Sequence, residues 1–168
     1  MDKIVFFHMN QLGDLLFSLP VLKAIKEELN AKICSVVKPS LAPLLIASNL
    51  IDETVPKDRN TIKFLRKYKA NTAILFSESP SSLLCAYFAN IKNRIGFKTA
   101  SLSFLLTKKV KRVGVPSLFN NRELGFIAGL KTIPQDYTNI LSIPKENIEN
   151  VQKWFGDNNL DASKTIAI

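Results

Sequence analysis

The chain has 168 residues, of which 46% are hydrophobic and 22% charged, with 6 glycines and 8 prolines. This composition excludes a collagen-like, low-complexity or disordered chain and leaves room for one full-sized hydrophobic core. The two cysteines, Cys34 and Cys85, have no CxxC or Cys/His spacing, which argues against a disulfide framework and against a zinc site. We expect both to be core residues of a protein in a reducing compartment, and we predict no metal site.

The chain begins with an apolar run that is too short for a signal peptide. Ile4–Phe7 gives way to the polar residues His8, Asn10 and Gln11, and no later apolar run reaches membrane-spanning length without a polar break. We therefore expect a soluble, cytoplasmic protein.

The net charge of +9 is concentrated in the middle of the chain. Residues 1–56 and 113–168 each carry a net charge of −1, whereas residues 57–112 carry +11. Such a block gives part of the surface a positive potential that attracts phosphates, acidic glycolipid headgroups or nucleic acid. The alternative is a solvated basic surface that only aids solubility.

Short β-rich runs alternate with helical patterns along the chain. The predicted strands are Ile4–Phe7, Ile33–Val37, Glu53–Val55, Thr72–Phe76 and Arg94–Phe97. The predicted helices are a long one containing Leu22, Ile25 and Leu29, a small one around Leu44–Ile46, and the segments Thr61–Tyr68 and Ser82–Ala89. This alternation predicts an α/β fold, a Rossmann-like parallel sheet with helices on both faces.

Pro20 leaves two interpretations of the first helix open. Either Ser18 caps a helix that carries Pro20 in its first turn, or a helix begins near Asp14 and bends at Pro20. The pattern is ambiguous over residues 102–106 and 108–113, and it predicts another helix over Asn121–Leu130.

The end of the chain predicts a helix over Pro144–Phe155 and then the first half of a strand over Thr165–Ile168. Because the chain stops in mid-strand, we expect it to be part of a longer protein. We predict a Rossmann-like domain over residues 1–143, followed over residues 144–168 by a linker helix and the start of a truncated second domain.

The loop after the first strand is the expected ligand site, because ligands of open parallel sheets bind at the carboxyl ends of the strands. Gly13 is expected to let the chain turn tightly before Asp14. Asp14 is then either an N-cap that accepts backbone N–H groups or a catalytic carboxylate. The loop has neither the glycines of a dinucleotide fingerprint nor a P-loop Gly-Lys-Ser/Thr, which argues against simple nucleotide binding.

Several segments together resemble one protein family. Ile4–Phe7, Leu12–Leu16 and Leu19–Lys26 are similar to the opening of the ADP-heptose:lipopolysaccharide heptosyltransferases, glycosyltransferase family 9. In that family a strand, a small polar loop, a Gly-Asp pair, an apolar stretch with Pro and a Leu/Lys-rich helix follow one another. Arg94–Phe97 resembles the family's short Arg-Ile-Gly strand, and Arg122–Leu124 resembles the helix after it, so the resemblance extends over residues 3–130.

This resemblance implies the N-terminal, acceptor-binding half of a GT-B architecture and an inverting transfer of heptose to the lipopolysaccharide inner core. Asp14 matches the family's proposed base, which removes the proton of the acceptor hydroxyl as that oxygen attacks the anomeric carbon. The resemblance also implies acceptor contacts from the loop residues His8, Asn10, Gln11 and Gly13.

His8 departs from the family pattern, since many members have Lys or Arg six residues before the Asp. A histidine is only partly charged near neutral pH. From the residues alone, a single histidine at a strand end is either a hydrogen-bonded rim residue or a ligand contact.

The donor, ADP-heptose, is implied to bind as a substrate to a C-terminal domain that the chain lacks, with no separate cofactor. We therefore expect the chain alone to be inactive.

The basic block fits an anionic acceptor. On a helix over Thr61–Tyr68, the residues Lys63, Arg66 and Lys67 share one face, and a second cluster lies over Lys108–Arg112. We expect both to face the acceptor, on the same side as Asp14. Because the lipopolysaccharide inner core is acidic and lies at a membrane surface, peripheral contact with the inner membrane is expected as well.

Two alternatives stay open. One is a non-catalytic domain that binds a polyanion such as nucleic acid. Against it, the chain has no RNP, zinc-finger or helix-turn-helix signal. The five aromatic residues between Lys57 and Arg112 fall mostly at apolar, core-like positions rather than among the basic residues, so we expect no nucleic-acid partner. The other alternative is a GT-B enzyme that uses another nucleotide sugar.

Overall fold

The computed structural model of the chain describes residues 2–114, 117–134 and 140–165. Within these residues the strands are β1 (Lys3–Phe7), β2 (Lys32–Val37), β3 (Glu53–Pro56), β4 (Thr72–Leu75), β5 (Asn93–Phe97) and β6 (Lys108–Val110). The helices are α1 (Leu12–Leu16), α2 (Leu19–Leu29), α3 (Ala42–Ala47), α4 (Thr61–Tyr68), α5 (Pro80–Phe88), α6 (Ser117–Ala128) and α7 (Lys145–Asp157). Short 3₁₀ turns lie at Pro39–Leu41 and Ser103–Leu105.

The six strands form one parallel sheet in the order β3-β2-β1-β4-β5-β6. The chain builds the sheet outward from β1 to β3 and then returns to add β4 on the other side of β1. The point between β1 and β4 is therefore the topological switch, above which ligands of such sheets bind. The predicted Rossmann-like α/β fold is confirmed.

Side chains of β1 alternate between two helical layers. Ile4 and Phe6 pack into a cluster with α2, α3 and α6, whereas Val5 and Phe7 pack into a second cluster with α4 and α5. Both phenylalanines are fully buried, and each such burial contributes about 1.5–3 kcal/mol. The central strand is thus fixed on both faces, and so is the position at which its carboxyl end leaves the sheet.

The region around Pro20 contains two helices, so neither interpretation of it was complete. Pro20 lies in the first turn of α2 and Ser18 stands at the N-cap position, as the first interpretation predicts. However, the Ser18 side chain makes no capping bond; its Oγ donates to the carbonyl of Leu15 at 2.6 Å instead. That bond turns the hydroxyl back towards α1, which ends before α2 begins.

The ambiguous and terminal segments are settled only in part. Residues 103–105 form a 3₁₀ turn, residues 108–110 form β6, and α6 begins at Ser117 rather than at Asn121. The predicted helix near the end is α7, and the predicted strand over Thr165–Ile168 lies, apart from Thr165, outside the described residues.

Cys34 and Cys85 are free and buried, as predicted. None of the described helices is long and apolar enough to cross a membrane.

Candidate functional site

Asp14 lies where it was predicted, beyond the carboxyl end of β1 and beside the topological switch. It occupies the first turn of α1, whose N-cap position is Gln11, so the interpretation of Asp14 as the cap of its own helix is wrong. Gly13 lies inside α1, it does not have a positive φ, and a Cβ added to it would meet no atom within 4 Å. The tight turn expected at Gly13 is therefore also wrong, because the chain turns in the loop before α1.

The Asp14 carboxylate is held by a residue from the far end of the sheet. Ser117 Oγ, at the start of α6, donates to Asp14 Oδ1 over 3.2 Å. Asp14 is partly exposed, so its carboxylate remains accessible from solvent. One carboxylate oxygen is thus oriented by a fixed donor while the group can still reach a ligand, which is an arrangement suited to a general base.

A second contact from α6 fixes the end of α1. Asn121 Nδ2 donates to the carbonyl of Phe17 over 3.1 Å, and Asn121 is buried. Asn121 and Ser117 are four residues apart and so share one face of α6. No pattern in the sequence indicated this pair, because the contacts cross more than a hundred positions of the chain.

His8 lies at the end of β1 with its side chain buried, 5% exposed. Its Nε2 is 3.1 Å from Ser35 Oγ and its Nδ1 is 3.2 Å from Ser18 Oγ. Burial lowers the pKa of His8 from 6.5 to about 3, so the expectation of a partly charged ring near neutral pH is wrong. Both ring nitrogens have partners inside the protein, as expected of the rim-residue interpretation.

Asn10 and Gln11 are exposed in the loop between β1 and α1. The Gln11 carbonyl accepts from the N–H of Leu15, while its side chain makes no cap bond. Their predicted contact with an acceptor stays a prediction.

The last turn of α4 does not lie beside Asp14, so the expected common side is wrong for Arg66 and Lys67. Lys63 lies in the first turn of α4, and its predicted contact with the acceptor stays a prediction. A helix that follows a parallel strand runs back towards the amino edge of the sheet. The last turn of α4, with Arg66 and Lys67, is therefore at the opposite edge, where Arg66 Nε donates to the carbonyl of Phe88 over 2.9 Å. In addition, α4 packs on the layer opposite to α1 and α2.

The basic block is divided between the two edges of the sheet. Basic residues that follow strand ends, and so lie at the carboxyl edge, are Lys57, Arg59, Lys98, Lys111 and Arg112. Those near the amino edge are Arg66, Lys67, Lys69, Lys92 and Arg94. Of the aromatic residues expected in the core, Tyr87 and Phe88 are instead 44% and 49% exposed, near this amino edge.

Sequence reasoning missed an ion pair at the carboxyl edge. Arg112 Nε donates to Glu78 Oε1 over 2.9 Å and its guanidinium lies 4.8 Å above the Phe97 ring. Burial raises the pKa of Glu78, but hydrogen bonds from Thr99 and Arg112 outweigh it, so this pKa lies below its ordinary value. One feature of the sequence could have indicated this ion pair. Glu78, Thr99 and Arg112 follow the ends of the strands β4, β5 and β6, which meet at one edge of a parallel sheet.

Lys57 is also fixed at this edge by side-chain partners. Its Nζ lies 2.9 Å from Ser82 Oγ and 3.4 Å from Ser79 Oγ, at the start of α5. Burial lowers the pKa of the Lys57 ammonium below its ordinary value.

An apolar cleft of about 390 Å³ is lined mainly by residues that closely follow Asp14 and Ser117 in the chain. It is lined by Leu16, Phe17, Leu19, Pro20, Leu118, Ile140 and Leu141. Nearby, Leu12 at the start of α1 is 56% exposed, and Phe17 directly after α1 is 40% exposed. Polar and apolar surfaces therefore meet at Asp14. Across the described ranges, no three His, Cys, Asp or Glu side chains are grouped so as to hold a metal ion.

Comparison with known proteins gives a fold and no sequence family. No protein-family model matches the chain, and no curated protein matches it. Its fold is similar to solved structures described as E. coli ADP-heptose lps heptosyltransferase II, E. coli heptosyltransferase WaaC with ADP, and a glycosyl transferase of family 9 from Veillonella parvula DSM 2008. The TM-scores are 0.72, 0.71 and 0.74, and the identities 20%, 14% and 17%.

These matches cover 95%, 94% and 96% of this chain but only 51%, 64% and 50% of the respective solved chains. The chain therefore spans between half and two thirds of the length of these transferases. The predicted similarity to the heptosyltransferases is confirmed at the level of the fold.

Proposed function

We propose that the chain is the acceptor-side part of an inverting glycosyltransferase that transfers heptose from ADP-heptose to the lipopolysaccharide inner core. The observation that carries this proposal is the placement of Asp14, partly exposed at the topological switch and oriented by Ser117 at 3.2 Å. The similarity of this chain's fold to the E. coli heptosyltransferases supports an ADP-sugar as the donor.

Asp14 acts as the general base in this proposal. Its free carboxylate oxygen takes the proton of the acceptor hydroxyl while the hydroxyl oxygen bonds to the anomeric carbon and the ADP oxygen leaves with the bond electrons. Proton removal of this kind contributes about 10²–10⁴-fold to the rate. The loop residues Asn10 and Gln11 are exposed beside it and suited to binding sugar hydroxyls.

The anionic groups of the acceptor are met by the carboxyl edge rather than by α4. In the part of the chain that the structure describes, Arg112 and Lys57 are cations held there by partners, and Lys98 and Lys111 are exposed on neighbouring loops. The apolar cleft and the exposed Leu12 and Phe17 fit the lipid-linked side of a glycolipid and a peripheral contact with a membrane surface.

Binding of a polyanion such as nucleic acid is the second candidate. It is favoured by the amino-edge basic residues, which lie beside the exposed aromatic side chains of Tyr87 and Phe88.

A transfer assay with the complete gene product tests the proposal. The donors are ADP-heptose and, as the matched control, ADP-glucose; the acceptor is heptose-free inner-core glycolipid. We expect product only with ADP-heptose, and no turnover by the 168-residue chain alone. Transfer from ADP-glucose alone would favour another nucleotide sugar. Absence of transfer, together with nucleic-acid binding that falls steeply with salt and is not competed by the glycolipid, would favour the second candidate.

A further inference from the structure

His8 is the only histidine of the chain, and it is buried at the carboxyl end of β1. Its ring packs beside the stacked rings of Phe6 and Phe76, with centroid distances of 6.0 Å to Phe6 and 5.6 Å to Phe76. The side chains that contact its two nitrogens are the hydroxyls of Ser18 and Ser35. Because the ring is buried among apolar side chains, both nitrogens need a hydrogen bond. Each unpaired nitrogen would lower the stability of the fold by about 1–3 kcal/mol.

The hydrogen-bond partners determine which nitrogen carries the proton. Ser18 Oγ lies 2.6 Å from the carbonyl oxygen of Leu15, which can only accept, so the single hydroxyl proton of Ser18 is used there. Ser18 Oγ must therefore accept from His8 Nδ1–H at 3.2 Å. His8 Nε2 is then unprotonated and accepts from the hydroxyl of Ser35 at 3.1 Å.

This chain of bonds joins the sheet to the helix that carries Asp14. Ser35 belongs to β2 and His8 follows β1, whereas Ser18 stands between α1 and α2 and holds the carbonyl of Leu15, the residue after Asp14. A helix of five residues has no stability of its own in water. The position of α1 therefore depends on such contacts with the rest of the fold.

We propose that His8, as its Nδ1–H tautomer, is a positioning residue that fixes α1 against the sheet through Ser18 and so sets the orientation of Asp14. The effect on turnover rests on the proposed function, because it requires Asp14 to be the base. The tautomer and the restraint on α1 do not depend on that function.

The tautomer is measured on the wild-type 168-residue chain by ¹⁵N NMR of the imidazole, which gives one unambiguous pair of signals. We expect a protonated Nδ1 and an unprotonated Nε2, both unchanged from pH 8 to pH 5. A protonated Nε2, or a titration near pH 6.5, overturns the proposal.

The restraint on α1 is measured with two conservative replacements of the ring. The amide of His8→Asn reaches the position of Nδ1 and retains the bond to Ser18, whereas that of His8→Gln reaches the position of Nε2 and retains only the bond to Ser35. We expect amide exchange at Leu15 and Phe17 to stay within about three-fold of wild type in His8→Asn and to rise at least ten-fold in His8→Gln. Equal exchange in the two variants contradicts the proposal.

Ser18→Ala tests the same link with less perturbation, and Ser48→Ala is its matched control. Ser48 is also buried and donates to a carbonyl three residues earlier, that of Leu45 at 2.6 Å, but it does not bond a histidine. We expect amide exchange in α1 to be faster than in wild type for Ser18→Ala and unchanged for Ser48→Ala. In the complete gene product, Ser18→Ala and His8→Gln should lower kcat about ten-fold with KM within two-fold of wild type, and His8→Asn should restore kcat.

The two ideas fail in different ways. Unchanged exchange of α1 in Ser18→Ala overturns the positioning role even if the wild-type protein transfers heptose. Absence of transfer in the wild-type protein overturns the proposed function but leaves the tautomer and the exchange results to decide the restraint on α1.

Discussion

Ser117 donates a hydrogen bond of 3.2 Å to Asp14 across 103 positions of the chain. The contact joins the first turn of α1, beyond the central strand, to the first turn of α6, beyond an edge strand. Because α6 packs beside α2 and also donates through Asn121 to Phe17, α6 supports the end of α1 as well as the carboxylate. The candidate site is thus built by two distant segments that converge at the carboxyl edge of the sheet.

Replacing Ser117 by Ala should lower turnover of the complete gene product by about five-fold, because the lost bond to a half-exposed carboxylate contributes about 1 kcal/mol. Ser117→Thr keeps the hydroxyl and should retain most of the activity. The measurement is kcat with saturating donor and acceptor. If the Ala and Thr variants have the same kcat, the hydroxyl does not orient the base.

Removing a positive charge at the carboxyl edge should weaken binding of the acceptor more than removing one on α4. Arg112→Gln should raise KM for a phosphorylated acceptor at least five-fold and leave kcat within two-fold, and the difference should shrink at high salt, since charges separated by more than about 10 Å are screened at 0.1 M. Its free energy of unfolding should change by less than about 1 kcal/mol, because the ion pair with Glu78 is about one-third exposed. The assay is KM at low and high salt.

Arg66→Gln is the matched variant at the amino edge, and it should leave KM for the acceptor unchanged. An equal increase in KM for Arg66→Gln and Arg112→Gln would show that the acceptor extends over both edges, contrary to the placement proposed above.

The stability of the chain should fall as the pH is lowered from 7 to 5. The folded-state pKa of His8 is lowered to about 3, whereas in the unfolded chain it is near 6.5, so the unfolded state binds one more proton across this window. The stability contribution is therefore present above pH 6.5 and is lost as the pH falls towards 3, with a loss of about 2 kcal/mol between pH 7 and pH 5. The ring contacts are Ser18, Ser35, Phe6 and Phe76, none of which titrates in this window.

Urea denaturation at pH 7, 6 and 5 measures this dependence. The carboxylates whose pKa values are lowered by hydrogen bonds, such as those of Asp52 and Glu78, affect stability mainly below pH 5 and so do not interfere. His8→Asn carries no titrating ring and should be flat across the window. A wild-type chain with equal stability at pH 7 and pH 5 would contradict a buried, neutral His8.

Much of the fold could be predicted because it depends on local patterns. Short β-rich runs between helical patterns predicted five of the strands to within a residue, among them the buried strand over Ile4–Phe7. The separation of α1 from α2 could not be predicted, because it depends on Ser18 bonding to Leu15 and His8 rather than on any glycine or proline between the helices.

The site was predicted less completely, for two physical reasons. The placement of Asp14 follows from strand order, but its contact with Ser117 depends on how α6 packs after β6, and helical periodicity does not determine that packing. The basic face of α4 was correctly identified as a helical stripe. The edge at which Arg66 and Lys67 lie was predicted wrongly, because the direction of the helix relative to the strands was not considered. In a parallel sheet such a helix runs towards the amino edge.

The central claim is that Asp14 is the base of a sugar transfer, and turnover of Asp14→Asn in the complete gene product tests it most directly. The amide keeps the shape and can still accept from Ser117, but it cannot take the acceptor proton. Asp58→Asn, at another loop of the same edge, is the matched control. We expect Asp14→Asn to lower kcat at least 10²-fold with acceptor binding little changed, and Asp58→Asn to remain near wild type. A kcat of Asp14→Asn within a few-fold of wild type would contradict the claim and would leave Asp14 as an anchor for α6.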